Sequence, residues 1–159
     1  MSTSPASNVK QPTAKCSMQV WLKLYKTSNS IERIIRSRLR DEQASTLPRF
    51  DVMSALSQFP DGLKMSEISN LLRVSNGNIT GIVERLLDEG LVSRQSVAND
   101  RRAQRILLTD EGLAVFRQQA QCHEQWISDI FEKITPQKLR ALARLLDSIG
   151  DELADSEHS

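Results

Sequence analysis

The chain has 159 residues, of which 39% are hydrophobic, and it carries 21 Lys and Arg against 20 Asp and Glu. This length and apolar content suit one globular domain with helical extensions, and the balanced charge alone does not indicate a polyanion partner. Two cysteines, Cys16 and Cys122, are too few for a disulfide framework and favour a reducing compartment. No apolar run has the length of a membrane span, and the N-terminus lacks a signal-peptide core. We therefore expect a cytoplasmic protein with no membrane partner.

Helical periodicity dominates the first part of the chain. Residues 1–15 are rich in Ser, Thr and Pro and predict a disordered tail. Apolar positions from Met18 to about Asp41 recur at helical spacing, which predicts a long amphipathic helix. A second helix is predicted from Leu47-Pro48 to the turn at residues 59–62, and a third over residues 65–72.

The stretch VSNGNITGIVERLLDEGLV, residues 74–92, predicts a fourth helix that contains two glycines in its first two turns. Ser75 is a candidate N-cap, and Gly90 stands where a left-handed C-cap residue belongs. Glycine weakens a helix interior by about 1 kcal/mol relative to alanine. Ile79, Val83 and Leu86 form one side of the helix, and the opposite face carries Asn76, Gly77, Thr80, Gly81 and Glu84.

Two explanations of these glycines are open. A neighbouring helix could pack closely against them, which for one glycine alone has about an even prior. A DNA major groove could instead require a bare helix surface with Asn and Thr side chains for the bases. The asparagines favour DNA, because amides in a tight aliphatic interface lack hydrogen-bond partners.

Residues 91–98 and 103–108 are strand-like and are separated by the turn-forming group Asn99-Asp100-Arg101-Arg102, which predicts a β-hairpin. Thr109 is predicted to cap a fifth helix reaching about Lys133, and Thr135-Pro136 to start a sixth with a leucine stripe. The expected fold is mainly α with a small β wing, a winged helix-turn-helix whose second helix enters the major groove. An arginine at the hairpin tip could reach a minor groove, although solvated charge is the commoner fate of such a cluster.

The stretch DRRAQRILLT, residues 100–109, resembles the wing signature of MarR-type transcriptional regulators, and residues 74–92 are similar to their recognition helix. The resemblance implies an obligate homodimer that reads a pseudo-palindromic DNA operator, usually as a repressor. It divides the chain into dimerisation helices at 16–46 and 110–154, a winged helix-turn-helix at 47–109 and a tail at 155–159. The DNA-binding residues it implies are Ser75, Asn76, Gly77, Asn78, Thr80, Gly81, Arg85, Arg94, Asp100, Arg101 and Arg102.

Within this resemblance, Arg102 takes the minor-groove position and Asp100 orients it. Two residues depart from the family pattern. Lys64 stands where a Thr cap is frequent, and Arg73 stands where a turn glycine is common. We expect Arg73 to adopt a positive φ, or the turn to differ, with the side chain placed to touch phosphate.

Family members commonly release DNA when a small aromatic acid, or in one branch its coenzyme A thioester, binds beside the dimerisation helices. PRFDVMSAL, residues 48–56, resembles the branch that controls aromatic-acid catabolism. The candidate ligand residues are Trp21, Tyr25, Asn29, Arg36, Phe50, Met53 and His123. These residues predict an aromatic-lined site with one cation, and core packing is the alternative for its larger side chains.

Three other functions are alternatives to this one. An enzyme is disfavoured by the presence of only two histidines and by the absence of phosphate-loop and nucleophile motifs, and we expect no cofactor or metal. A winged-helix protein-interaction module without DNA specificity would not need Arg102 or the bare surface around Gly77. A cysteine-based redox sensor would need Cys16 inside the first helix near tyrosines, but Cys16 precedes the predicted helix and Tyr25 is the only tyrosine.

Overall fold

The computed structural model describes residues 14–97 and 100–157, with side chains for all of these except residues 97, 100–103 and 157. The chain divides after Thr46 into two compact units. Within the described residues there are six helices and one two-stranded antiparallel sheet.

The first unit consists of the long helix α1, Ala14–Gln43, which ends as Ala44 adopts a φ of 47°. Its buried residues are Ile35 and Leu39. Residues 14 and 15, predicted as the end of a disordered tail, are helical, because alanine and lysine are strong helix formers and the prediction followed only apolar spacing. Residues 1–13 of the predicted tail lie outside the described part of the chain.

The second unit has seven elements in the predicted order. They are α2 (Leu47–Ser57), α3 (Met65–Leu72), α4 (Asn76–Asp88), β1 (Val92–Val97), β2 (Asp100–Leu108), α5 (Asp110–Phe131) and α6 (Pro136–Glu157). The core is built from the inner faces of α2, α3 and α4 and from the base of the hairpin, with α5 packed against α2 and β2. The predicted fold class is confirmed, although α5, predicted as a dimerisation helix, also belongs to this core.

The hairpin differs from its prediction. β2 begins at Asp100, so residues 100–102, which the sequence placed in a turn, lie in the strand; residues 98 and 99 are outside the described chain. Val97 pairs with Asp100 after a register shift that follows Ser96. The prediction failed here because ladder hydrogen bonds extend past the apolar residues on which strand prediction relies.

A third segment joins β2 at its base. The Leu63 amide donates to the Ile106 carbonyl at 3.0 Å, and the Ile106 amide donates to the Leu63 carbonyl at 2.8 Å. This isolated bridge fastens the hairpin to the loop between α2 and α3. Ile106 is fully buried there, so the base of the wing is part of the core.

Helix α6 has an unusual environment. None of its residues from 136 to 156 is buried. The helix continues to Glu157, beyond the predicted end at residue 154, because Glu152, Ala154 and Glu157 are good helix formers and no proline stops them. Residues 158 and 159 of the predicted tail lie outside the described chain.

Candidate nucleic-acid interface

The turn between α3 and α4 is closed by a non-glycine residue in a left-handed conformation. Arg73 has φ 53° and ψ 41°, which confirms the expected positive φ. The Val74 amide donates to the Ser69 carbonyl at 3.1 Å and the Arg73 amide to the Asn70 carbonyl at 3.2 Å, as in a Schellman motif. A side chain at this backbone position is strained by about 1 kcal/mol. The tight turn is therefore retained despite the arginine.

A side-chain contact also joins the two helices of the motif. The Ser69 hydroxyl, which is buried, has two acceptors within reach, the Asn76 side-chain oxygen and the Ser66 carbonyl at 3.1 Å. Asn76 therefore has a structural partner, whereas the sequence assigned it only to DNA. Its amide hydrogens remain the donors for a base.

The N-caps of α3 and α4 differ from the usual arrangement, in which the cap side chain accepts a backbone hydrogen bond. Ser75 occupies the N-cap position of α4, with φ −66° and ψ 145°, but its side chain makes no capping hydrogen bond. Lys64 is the N-cap residue of α3, and the Glu67 carboxylate accepts from its backbone amide at 2.7 Å. A lysine ammonium has no acceptor, so only this half of a capping box can form.

The outer face of α4 is bare. A Cβ built on Gly77 or on Gly81 meets no described atom within 4 Å. Ile79, Val83 and Leu86 are fully buried on the other side. Close helix packing therefore does not explain either glycine within this chain. The exposed residues of the outer face include Asn76, Asn78, Thr80 and Arg85.

The Thr80 side chain makes a hydrogen bond within its own helix. Its hydroxyl donates to the Asn76 carbonyl at 2.9 Å, one turn earlier. That bond uses the only hydroxyl hydrogen, so Thr80 can offer DNA its methyl group or a hydroxyl acceptor. A methyl group suits the thymine methyl in the major groove.

The arginines of the hairpin divide into two groups. Arg94 on β1 forms an ion pair with Glu84 on α4, a partner that sequence reasoning did not assign. Arg105 is half-buried and donates to the Gly62 carbonyl, so it links β2 to the loop between α2 and α3. Arg101 and Arg102 lie on β2, and their side chains are outside the described set, as is that of Asp100. Their roles at the wing tip remain predictions.

The other end of α4 is fixed to α5. Gly90 has a φ of 72°, which confirms the predicted left-handed C-cap. The Thr109 hydroxyl donates to the Gly90 carbonyl at 2.7 Å and accepts from the Gly112 amide at 3.0 Å, so the predicted Thr109 cap is also confirmed. A Cβ at Gly112 would overlap the Leu91 carbonyl oxygen. The recognition helix is thus held at both ends while its outer face is free of described neighbours.

Three of the predicted ligand residues lie in the second unit. Phe50 stacks on His123 with ring centroids 4.9 Å apart, and it also contacts Phe116 at 5.6 Å. Burial lowers the pKa of His123, so this imidazole is neutral near pH 7. Met53 is fully buried in the hydrophobic core. A neutral histidine would hydrogen-bond an acid rather than neutralise it.

The remaining predicted ligand residues lie on α1. Trp21 and Tyr25 are exposed neighbours with ring centroids 5.8 Å apart, and Asn29 is also exposed. Arg36 forms an ion pair with Glu32, one turn away. The cation expected for an acidic ligand therefore already has a carboxylate partner.

Sequence reasoning missed a buried amide on α5. Gln119 is 5% exposed, and its side-chain oxygen accepts no hydrogen bond from the part of the chain that is described. It lies one turn from both Phe116 and His123 on the helix. No sequence signal singled it out, because glutamine is usually exposed on a helix.

The cysteines bear on the redox alternative. Cys16 lies in the first turn of α1, so the prediction that it precedes the helix was wrong. Tyr25 is nine residues further on, about 13 Å along the helix axis. At this separation the Tyr25 hydroxyl of the same helix is too far from Cys16 to activate its thiol. Cys122 is half-buried on α5, and no disulfide joins the two cysteines.

The described residues contain neither a metal-binding cluster nor a membrane-spanning helix. No group of three or more His, Cys, Asp or Glu side chains among them is arranged to hold a metal ion. None of the helices in residues 14–97 and 100–157 is long and apolar enough to cross a membrane.

A short helix, a left-handed turn, an exposed second helix and a hairpin define a winged helix-turn-helix protein. A sequence model of the MarR family matches residues 45–103. The chain is 28% identical over 109 residues to the HTH-type transcriptional regulator PecS of Dickeya dadantii, a match that covers 67% of this chain and 66% of that regulator. The chain is therefore similar to the MarR family over its helix-turn-helix and most of its hairpin.

Solved structures of MarR family members are similar to this chain. A MarR family transcriptional regulator from Silicibacter pomeroyi is 28% identical, with a TM-score of 0.77 over 91% of this chain and 99% of that one. Wild-type MarR from E. coli, at 21% identity, has a TM-score of 0.72 over 87% and 97% of the two chains. A family member from Streptomyces coelicolor in complex with DNA, at 22% identity, has a TM-score of 0.74 over 93% of each chain. These similarities support the predicted class, a transcriptional regulator rather than an enzyme.

Proposed function

We propose that this protein represses transcription by binding a pseudo-palindromic operator in double-stranded DNA as a homodimer, with α4 in the major groove. The observation that carries this proposal is the open space around Gly77 and Gly81. Each glycine weakens the helix, and nothing described in the chain itself uses the bare surface. The DNA complex of the Streptomyces coelicolor relative supports DNA as the partner.

The direct test is selection of bound duplexes from a random DNA pool with purified protein at about 0.15 M salt. We expect an inverted repeat with half-sites about one helical turn apart. Arg102→Ala should weaken binding to that repeat strongly and leave the protein folded. Recovery of no consensus would favour the protein-interaction alternative, and unchanged affinity of the variant would contradict the wing assignment.

Helix α6 supports the homodimer. Its stripe leaves Leu145 64% exposed and Leu153 62% exposed. Complete burial of one such side chain contributes about 1.5 to 3 kcal/mol, and the stripe has five large members: Leu142, Leu145, Leu146, Ile149 and Leu153. A second copy of the chain would cover them.

The dimer can be tested by light scattering on size-exclusion fractions. Leu145→Glu should convert the protein to monomers, because a carboxylate would be buried in the apolar interface. Gln137→Glu, on the same helix outside the stripe, is the matched control and should remain dimeric. If the Leu145→Glu variant is still dimeric, α6 is not part of the dimer interface.

The effector we propose is a small aromatic acid or its coenzyme A thioester. The support lies on α5, where the buried Gln119 oxygen has no described donor beside the His123–Phe50 stack. A phenolic hydroxyl could donate to that oxygen, since a buried unpaired acceptor is destabilising. Titration of the operator complex with phenolic aromatic acids and their thioesters should release DNA, and Gln119→Leu should weaken that response.

A further inference from the structure

Glu84 is an acid on the surface proposed to face DNA. It is three residues after Gly81 and seven after Gly77, so the three positions share one side of α4. Its side chain is about half exposed. An unpaired carboxylate here would repel the DNA phosphates. Glu84 is therefore expected to have a cationic partner.

The partner of Glu84 comes from the wing. Arg94 and Val92 are on the same side of β1, because alternate residues of a strand share a face. Val92 is buried in the core that includes α4, so Arg94 leaves the strand on the side of that helix. The Arg94 guanidinium reaches the Glu84 carboxylate ten residues earlier in the chain.

This pair contributes little to folding. Both side chains are between two-fifths and one-half exposed, and exposed ion pairs add little stability. What it does fix is the position of an arginine at the edge of the recognition surface. Without Glu84, Arg94 would be an exposed cation on a strand beside the groove, available to any phosphate.

We infer that Glu84 is a specificity-determining residue that occupies Arg94 and withholds it from the phosphates of non-operator DNA. This inference rests on the proposed function. Non-specific binding is almost wholly electrostatic, so one withheld cation weakens it directly. On the operator, base contacts fix the docked position of the wing and limit the phosphates that Arg94 could reach. Both effects raise the ratio of operator to non-specific affinity.

The test compares wild type with Glu84→Gln, Arg94→Gln and the double variant on the selected operator and on a scrambled duplex of equal length. One added phosphate contact makes the salt slope steeper by about 0.9, so between 1 M and 0.1 M salt the variant gains about eightfold more affinity than wild type. We expect Glu84→Gln to show this gain on the scrambled duplex and no gain on the operator. In the double variant the gain should be absent.

Asp88→Asn is the matched control. Asp88 is an exposed acid one turn further along α4, so its removal changes the helix charge equally. An equal gain in this variant, or a gain that survives in the double variant, would mean general repulsion and would overturn the inference. A changed base preference in Glu84→Gln would also overturn it, because Glu84 would then read a base.

The experiment separates two failures. If wild type shows no salt-dependent binding to either duplex, the proposed function fails and the inference fails with it. If wild type prefers the operator but Glu84→Gln gains nothing on the scrambled duplex, only the role of Glu84 is refuted.

Discussion

Substitution of Gly81 by alanine separates stability from DNA binding. Gly81 lies in the sixth position of α4, well inside the helix, and an added Cβ meets no described atom within 4 Å. The new methyl group therefore has room in the free protein. It occupies the surface that we place against the groove floor.

The two expected effects have opposite signs. Alanine is favoured over glycine in a helix interior by about 0.8 to 1 kcal/mol, so the free energy of unfolding should rise by that amount. For a chain of this size, 1 kcal/mol raises Tm by about 2 to 4 °C. In the complex, a methyl group that holds the helix off the bases would weaken one specific contact by about 1 to 3 kcal/mol, or roughly 5- to 150-fold in Kd.

The assay pairs thermal unfolding with operator binding at fixed salt, and includes a scrambled duplex. Affinity for the scrambled duplex should change little, because the methyl group alters no charge. A lower Tm would refute the reasoning by showing that Gly81 is packed against something in the assembled protein. Unchanged operator affinity with a higher Tm would place the groove contact elsewhere on α4.

Three other changes follow from the same geometry. Gly112→Ala should lower the free energy of unfolding by about 3 kcal/mol, measured in urea, because its Cβ would overlap the Leu91 carbonyl; an unaffected midpoint would contradict that contact. Arg73→Gly should raise stability by about 1 kcal/mol by relieving the left-handed strain, and should reduce the salt slope of DNA binding by about 0.9 if the side chain touches phosphate. The hydrogen bonds from Arg49 lower the pKa of Glu89, so this pair stabilises the fold above about pH 4.3, and its contribution is lost as pH falls through the folded-state pKa. Glu89→Gln should therefore remove up to about 1 kcal/mol at neutral pH and flatten the acid limb of the stability curve; an unchanged acid limb would contradict the assignment.

Local chemistry explains what the sequence could predict. The Gly90 and Thr109 caps depend on residues within one turn of the chain, and both are confirmed. The positive φ of Arg73 was expected from the family resemblance and is also confirmed. Ser75 shows the limit of that reasoning. It occupies the cap position, but a capping hydrogen bond depends on a side-chain rotamer that the sequence does not fix.

Contacts between elements were beyond sequence reasoning. Glu84 and Arg94 belong to a helix and a strand, and only the tertiary position of β1 brings them together. Arg105 was grouped with the other arginines by its position in the sequence, yet it is directed to the Gly62 carbonyl at the base of the wing. Charge clusters in a sequence therefore do not tell which members face a ligand, because each strand distributes its side chains over two faces.

The glycines give the clearest reason to expect an external partner. Gly62 and Gly90 have positive φ, and a Cβ at Gly62 would lie 2.7 Å from the Ile106 carbonyl oxygen. Gly112 allows α5 to approach the Leu91 backbone. These three serve the fold, and each lies beside an end of α4 or the base of the wing. The glycines within α4 itself meet none of these requirements. They leave a bare surface over the first two turns of a helix whose two ends are held by the fold, and this surface is open to a bound molecule.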